Sequence, residues 1–560
     1  MIEAPDGAAD ARRWKHAAFA LAILAAAWSA WAFAPILRGY FLSDDFVPLV
    51  LFRKWQDEGR LAEALAAKFV SSLDAGDSHF YRPLSYLSFA INYLASGVEA
   101  GPWMATNVAL HVLNAIMAGA IGMQAAAEKP DARALAAGIV GAALFLFFPP
   151  GVEVLAWISG RFDITATFFT LLACLAFLRS RRFGDWASIA SLAAAQAAFL
   201  CKESAAIVPI AIVILARLRP DALEAPTRAR RWIAALRHAA PWLALAAFYL
   251  VSRYLMFGSF TRVYANTQPL SALFSGAYLG EVANALPPWL SAQFRPHYRY
   301  PFLVALTVLQ LAIIVFARPR ERRAREALFA SGALLALTLV LLAPHVGKLP
   351  EEGLGGRLLY QSAVFYAVLA AVALRHSRLA YLLWGVTLAA LLLHAAFQHH
   401  AIARWSVAYA EMRELVAEVE RLDRRLAPGE YALVLVPGDI DDIPFARNAQ
   451  GGLMLPPVFS RSMSARLLVQ QYDEVPLLPG KIETGVVSTL KVRSVFDYLG
   501  GKRIVTTPPE YPSDVLCFAS DRHRLVPLAV APAATPQAWA GAVQAALDAS
   551  PCVTRMPHTR

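Results

Sequence analysis

The chain is 560 residues long, with 58% hydrophobic residues, only 17% charged residues and a formal net charge of +11. That balance excludes an ordinary soluble enzyme, in which about a quarter of residues are charged, and indicates a polytopic membrane protein. The positive charge does not describe a nucleic-acid surface, because the arginines sit in short loops between apolar runs, without interleaved aromatics.

Apolar runs near the length that crosses about 30 Å of hydrocarbon recur along the first 400 residues. In chain order they are His16 to Leu37, Trp103 to Gln124, Ala132 to Pro149, Asp163 to Leu178, Trp186 to Leu200, Ser204 to Ala216, Ala240 to Phe257, Pro301 to Ala317, Ala327 to Leu342, Leu358 to Leu374 and Leu379 to Phe397. Read as spans, they predict eleven crossings. Pro83 to Gly97 is apolar but short and carries Asn92, so it reads as a helix lying at or dipping into the membrane surface.

Basic clusters alternate with these spans. Arg12-Arg13-Trp14-Lys15, the run Arg179 to Arg182, the stretch Arg217 to Arg237, the run Arg318 to Arg325 and Arg375 to Arg378 fall on one side of the eleven-span arrangement, which the positive-inside rule makes cytoplasmic. The opposite side collects the segment 38–82, the turn Pro149 to Asp163, the hairpin Cys201 to Ser204, the segments 258–300 and 344–357, and everything after Gln398.

Beyond about Arg404 the composition becomes that of a soluble domain. Trp405 to Leu426 has helical periodicity, Tyr431 to Val436, Lys502 to Thr506 and Val515 to Phe518 read as strands, and Trp539 to Leu547 as a helix. The expected organisation is a cytoplasmic tail over 1–15, a transmembrane domain over 16–400 with an outer loop at 38–82, and a small outer α/β domain over 401–560. No solenoid repeat, phosphate loop or dinucleotide fingerprint occurs. Cys174 and Cys201 read as small apolar fillers, whereas Cys517 and Cys552 share the outer domain and are available to pair in an oxidising compartment.

The outer side also gathers the chemistry. Asp44 and Asp45 lie just past the first span, and charged groups at a membrane boundary usually face water or a functional cavity. With them come His79, Tyr81 and Arg82; the stripe Asn107, His111 and Asn114 on one helical face; Arg161 and Asp163; Lys202 and Glu203; Arg253; and Arg357 with Tyr360. Each has a plainer reading. The stripe serves equally as interhelical hydrogen-bonding glue, the cations as interfacial anchors, and His394, His399 and His400 as bystanders rather than a metal cluster. An acid pair beside several cations is, however, what transfer from an anionic lipid donor needs.

In this order, Ser43-Asp-Asp45, Phe80-Tyr-Arg-Pro-Leu84, Asn107-Val-Ala-Leu-His-Val-Leu-Asn114, Val154-Leu-Ala-Trp-Ile-Ser-Gly-Arg-Phe-Asp163, Cys201-Lys-Glu203 and Gly356-Arg-Leu-Leu-Tyr-Gln-Ser362 resemble the membrane part of the GT-C glycosyltransferases. The resemblance is to the transmembrane and tetratricopeptide-repeat-containing protein O-mannosyltransferases, covers approximately residues 15 to 400, and lacks the repeats. It implies an α-helical polytopic GT-C fold and a hexosyltransferase with a lumenal or periplasmic site, and the alanine- and arginine-rich composition points to a bacterial inner membrane. That enzyme would move a sugar with inversion from a polyprenyl-phosphate donor to a hydroxyl of a glycan, lipid or protein acceptor at the periplasmic face.

Under that resemblance Asp44 or Asp45 is the catalytic base, and Arg82, His111, Arg161, Asp163, Lys202, Glu203, Arg357 and Tyr360 line the donor and substrate site. An acceptor hydroxyl needs a positioned carboxylate to take its proton, and the leaving lipid phosphate needs fixed cations. No cofactor or metal is required, although two carboxylates offer room for a divalent cation. Membrane lipids are the other expected partners, and nucleic acid is not one. A transporter or lipid flippase is the competing reading; it expects inverted repeats and broken midplane spans, which the sequence does not show. A non-catalytic envelope scaffold is the third.

Overall fold

A computed structural model describes residues 7–70, 80–127, 131–258, 301–316, 319, 321–346, 356–427, 430, 432–441, 443–447, 467–477, 512 and 514–552. An α-helix occupies most of each of the eleven predicted spans, from Gly7–Leu37 to Ala380–Arg425. Uniformly apolar segments fold this way because a helix satisfies its own backbone N–H and C=O groups where no water is available. Helix starts are set locally: Asp131 accepts from Ala134 N at 2.7 Å, and Asp185 accepts from Ser188 N at 2.8 Å.

Among the described residues six helices are long and apolar enough to cross a membrane, or seven if Ala132–Leu146 and Pro149–Ala156, bent by 56°, form one broken span. The count of eleven is therefore not reproduced. The physical reason is length: a helix such as the 14-residue Trp186–Phe199 covers only about 21 Å at about 1.5 Å per residue. Pro83–Ser96, also 14 residues, is equally short of a full crossing. It packs through Ser85, whose hydroxyl bonds Thr165 Oγ1 at 2.9 Å and Cys201 O at 3.1 Å.

The helical core closes on small residues. A Cβ placed on Gly138 would lie 2.9 Å from Gly119 O, one on Gly122 2.6 Å from Ala371 Cβ, and one on Gly141 2.8 Å from Ala367 O. Ala100–Ala126, Ala132–Leu146 and Gly356–His376 thus meet backbone to backbone, the close approach that small residues permit in membranes.

The C-terminal domain differs from expectation in where it starts. Ala380–Arg425 is one helix of 46 residues, so the boundary drawn at residue 400 falls inside it and the α/β part begins beyond Arg425. Its sheet has the order β4-β1-β5-β6, with β1 Ala432–Val436, β4 Leu467–Gln471, β5 Asp514–Ala519 and β6 Arg524–Pro527; β2 Asp439–Ile440 and β3 Ile443–Pro444 form a separate hairpin. β1 lies parallel to both β4 and β5. It reads as an unbroken apolar run because both faces are covered. Ala432, Val434 and Val436 join the core that includes Leu415 and Leu422 of the long helix. Leu433 and Leu435 meet Trp539, Val543 and Leu547 of the Pro536–Asp548 helix. Cys517 and Cys552 form a disulfide, and Cys174 and Cys201 are free and buried. The strand expected at Lys502 to Thr506 lies outside the described residues.

The packing makes a prediction. Gly119→Val forces a side chain against the Gly138 backbone, and overpacking of this kind costs about 1 to 3 kcal/mol. Gly332, also within a helix, has open space within 4 Å of the position a Cβ would take. The detergent-solubilised protein should melt at a lower temperature with Gly119→Val and at the wild-type temperature with Gly332→Val.

Candidate active site

Ser43, Asp44 and Asp45 form one turn of 3-10 helix directly before the Phe46–Asp57 helix. The two acids separate. Asp45 is 1% exposed and accepts from Ser159 N at 2.7 Å, Ser159 Oγ at 2.7 Å and Leu42 N at 3.1 Å. Asp44 is half-buried. Burial pushes the Asp45 carboxyl up to about 7, while Ser159 and the Leu42 amide hold it down and the neighbouring Asp44 adds to the rise.

Behind Asp45 lies a sealed polar layer. Arg161, 0% exposed, donates from Nε to Asn107 Oδ1 at 2.8 Å, from Nη2 to Trp103 O at 2.6 Å and from Nη1 to Ser88 O at 3.3 Å and to Asn92 Oδ1. Its guanidinium also rests over Phe89 at 4.9 Å. His111 Nε2 lies 3.1 Å from Leu146 O, which only accepts, so the neutral ring carries its proton there; Tyr360 OH then donates to Nδ1 at 2.8 Å. Asn114 donates to the Tyr360 oxygen at 3.2 Å and to Ile164 O at 3.1 Å. The stripe thus joins neighbouring helices. Arg161, His111 and Tyr360 sit inside the protein and do not face the site surface.

Arg82, Asp163, Lys202, Glu203 and Arg357 form, with Glu153, an outer layer of three ion pairs. Arg82 Nη2 lies 2.8 Å from Glu203 Oε2, and Lys202 Nζ 2.6 Å from Asp163 Oδ1. Arg357 Nε lies 3.7 Å from Glu153 Oε1, and its backbone N–H donates to Glu153 Oε2 at 3.0 Å. The pairs share one neighbourhood, because Lys202 responds to the charges of Asp163, Arg82 and Arg357. Burial pulls its ammonium down from the ordinary value while Asp163 holds it up. Aromatic faces seat two of the cations: Arg82 lies over Phe80 at 4.1 Å and Phe162 at 5.0 Å, and Arg357 over Trp157 at 4.9 Å. Arg357, 40% exposed in its side chain, is the most open of the three.

Trp157 ties the acids to the cations. Its Nε1 donates to Leu42 O at 3.3 Å, and its ring carries the Arg357 guanidinium. Ser159, Glu153 and Trp157 are members of the site that sequence reasoning did not single out, although all three stand in the motif turn Pro149 to Asp163. Lys68, outside every motif, is buried with Nζ 4.2 Å from the centre of the Tyr86 ring. His79 lies outside the described residues. His394 packs against Phe148, and His399 stacks on Trp31 with ring centres 4.2 Å apart.

The chain matches no protein-family model. It is 34% identical over 134 residues to Protein O-mannosyl-transferase Tmtc1 of Drosophila melanogaster, covering 24% of this chain and 15% of that protein. It is 31% identical over 189 residues to human Protein O-mannosyl-transferase TMTC4, covering 30% and 26% respectively. The resemblance carried by the motifs is thus borne out in sequence, although the matches span about a quarter or less of these curated relatives. Among solved structures, ArnT from Cupriavidus metallidurans bound to undecaprenyl phosphate matches at 12% identity and a TM-score of 0.44, covering 89% of this chain and 93% of that one.

The raised Asp45 carboxyl predicts a sign for pH dependence. A folded pKa of about 7 exceeds the ordinary carboxylate value, so the folded state holds a proton that the unfolded chain has released. This contribution to stability is full below pH about 4 and is lost as pH rises through about 7. Thermal unfolding from pH 5 to 8 should therefore show wild type losing stability relative to Asp45→Asn as pH rises; parallel curves would place the Asp45 titration elsewhere.

Proposed function

We propose that the protein is a membrane hexosyltransferase of GT-C type. In this reading it moves a sugar from a polyprenyl-phosphate donor to an acceptor hydroxyl, with inversion at the sugar carbon. The observation that carries the proposal is the bridge at Trp157, which sets an acid pair and a cluster of aromatic-seated cations on the two sides of one residue. The sequence likeness to O-mannosyltransferases supports the same reaction class.

In the proposed reaction Asp44 removes the acceptor proton as the hydroxyl oxygen bonds the sugar carbon and the bond from that carbon to the donor phosphate breaks. Asp45 takes no part as a base, since its oxygens are occupied by Ser159 and Leu42. Lys202, Arg82 and Arg357 meet the phosphate charge as it develops, and fixed cations in a site shielded from water stabilise such charge strongly. Asp163, Glu203 and Glu153 hold these cations before the donor arrives. Arg161, His111 and Tyr360 position the layer behind.

The proposed setting is the periplasmic face of a bacterial inner membrane. Two features support that side: the arginine-rich turns, such as Arg179 to Arg182, stand at the opposite end of helices that begin at the site, and the C-terminal domain carries a disulfide. The acceptor is a glycan, a lipid or a protein. No metal is required, and the acid pair leaves room for a divalent cation.

Turnover per folded molecule tests the assignment. Asp44→Asn keeps size but removes the proton acceptor, and the rate should fall about 10²- to 10⁴-fold. Lys202→Ala and Arg357→Ala should raise the donor KM, since a charge-assisted contact contributes about 1.5 to 3 kcal/mol. Wild-type turnover in Asp44→Asn would remove this acid from the chemistry.

A further inference from the structure

Ser43 is one of three described non-glycine residues with positive φ, at 52°. It stands between Leu42, which is extended at φ −134° and ψ 146°, and the helical Asp44 and Asp45. A side-chain-bearing residue enters this left-handed region only when its surroundings hold it there. Two bonds from the C-terminal domain do so: Ser43 N donates to Phe445 O at 2.8 Å, and Ser43 Oγ donates to Arg447 O at 2.6 Å.

Those two carbonyls are themselves fixed to the domain. Phe445 N and Ala446 N both donate to Gly438 O, at 2.9 and 3.0 Å. Arg447 pairs with Asp439. The Phe445 ring is fully buried and stacks on Phe518 of β5, with ring centres 6.1 Å apart. The domain is braced in turn against the long helix, where His523 Nδ1 lies 2.7 Å from Glu411 Oε1 and Leu525 N donates to Glu418 Oε2 at 3.0 Å.

We propose that the C-terminal domain is a working part of the site: its segment 443–447 locks Ser43 in the left-handed conformation and so sets the directions of Asp44 and Asp45. The acid turn is then gripped from two sides, by Ser159 and Trp157 of the membrane domain and by Phe445 and Arg447 of the outer domain. Ser43 is a positioning residue and touches no substrate. The inference rests on Asp44 being the base. It explains why a soluble domain with no nucleotide fingerprint is joined to a transferase: it supplies the geometry of the acid pair rather than a second substrate site.

The test uses the full-length protein with Ser43→Val, whose β-branch is excluded from the left-handed region, Ser43→Gly, which enters it freely, and Phe445→Ala on the domain side. Ser43→Val should lower kcat about 10- to 100-fold, the scale of a misplacement near 1 Å, with the donor KM unchanged, and Ser43→Gly should recover most of that loss. Hydrogen exchange in peptides covering 41–46 should accelerate in Ser43→Val and in Phe445→Ala, while the Pro536–Asp548 helix stays protected in Ser43→Val. Wild-type kcat in Ser43→Val, or unchanged exchange at 41–46 in Phe445→Ala, would overturn the inference. If Asp44→Asn instead turns over at the wild-type rate, the base assignment fails by itself, and the exchange data still decide whether the domain holds Ser43.

Discussion

The carboxylate of Asp45 is the joint on which the site depends. Three donors converge on it, two from Ser159 and one from the amide of Leu42, and it lies almost wholly out of water. A buried carboxylate is costly unless its lone pairs are occupied, so the 157–160 turn and the acid turn hold each other in place. Removing either partner leaves the other polar and buried. The same contact separates the acids: Asp45 is enclosed, and Asp44 keeps part of its surface exposed.

The cations repeat this division of labour. Arg161 donates from each of its three nitrogens to neutral acceptors and lies behind the site, as a charge can in a protein interior when its polar atoms find partners. Arg82, Lys202 and Arg357 are instead paired with carboxylates and only partly covered. In the proposed reaction a lipid phosphate must compete with Glu203, Asp163 and Glu153 for them. Pairing keeps cations and carboxylates ordered before the donor arrives, which lowers the reorganisation needed during the reaction.

Much of the membrane domain was legible because an apolar helix in lipid must be apolar along its length, and each predicted run contains an α-helix. β1 and β5 were legible for a related reason, since both faces of each are covered. β4 was not, because Gln470 and Gln471 end it on polar residues although both are buried. The single helix Ala380–Arg425 hid behind His399, His400 and Arg404, which break the apolar run without breaking the helix. Within the site, residue types were legible and partners were not. Arg82 and Glu203 are 121 positions apart and Arg357 and Glu153 204 apart, distances that no local pattern bridges. The contact of Ser43 with Arg447, 404 positions away, depends wholly on the folded chain.

The measurement that bears most directly on the central claim is sugar transfer by the purified full-length protein in lipid vesicles, using a polyprenyl-phosphate hexose labelled in the sugar and following both the label and the anomeric configuration of the product. The account predicts label bonded to an acceptor hydroxyl with inverted configuration and release of free polyprenyl phosphate. Label that stays on its lipid carrier and only changes membrane leaflet would contradict it and identify a flippase.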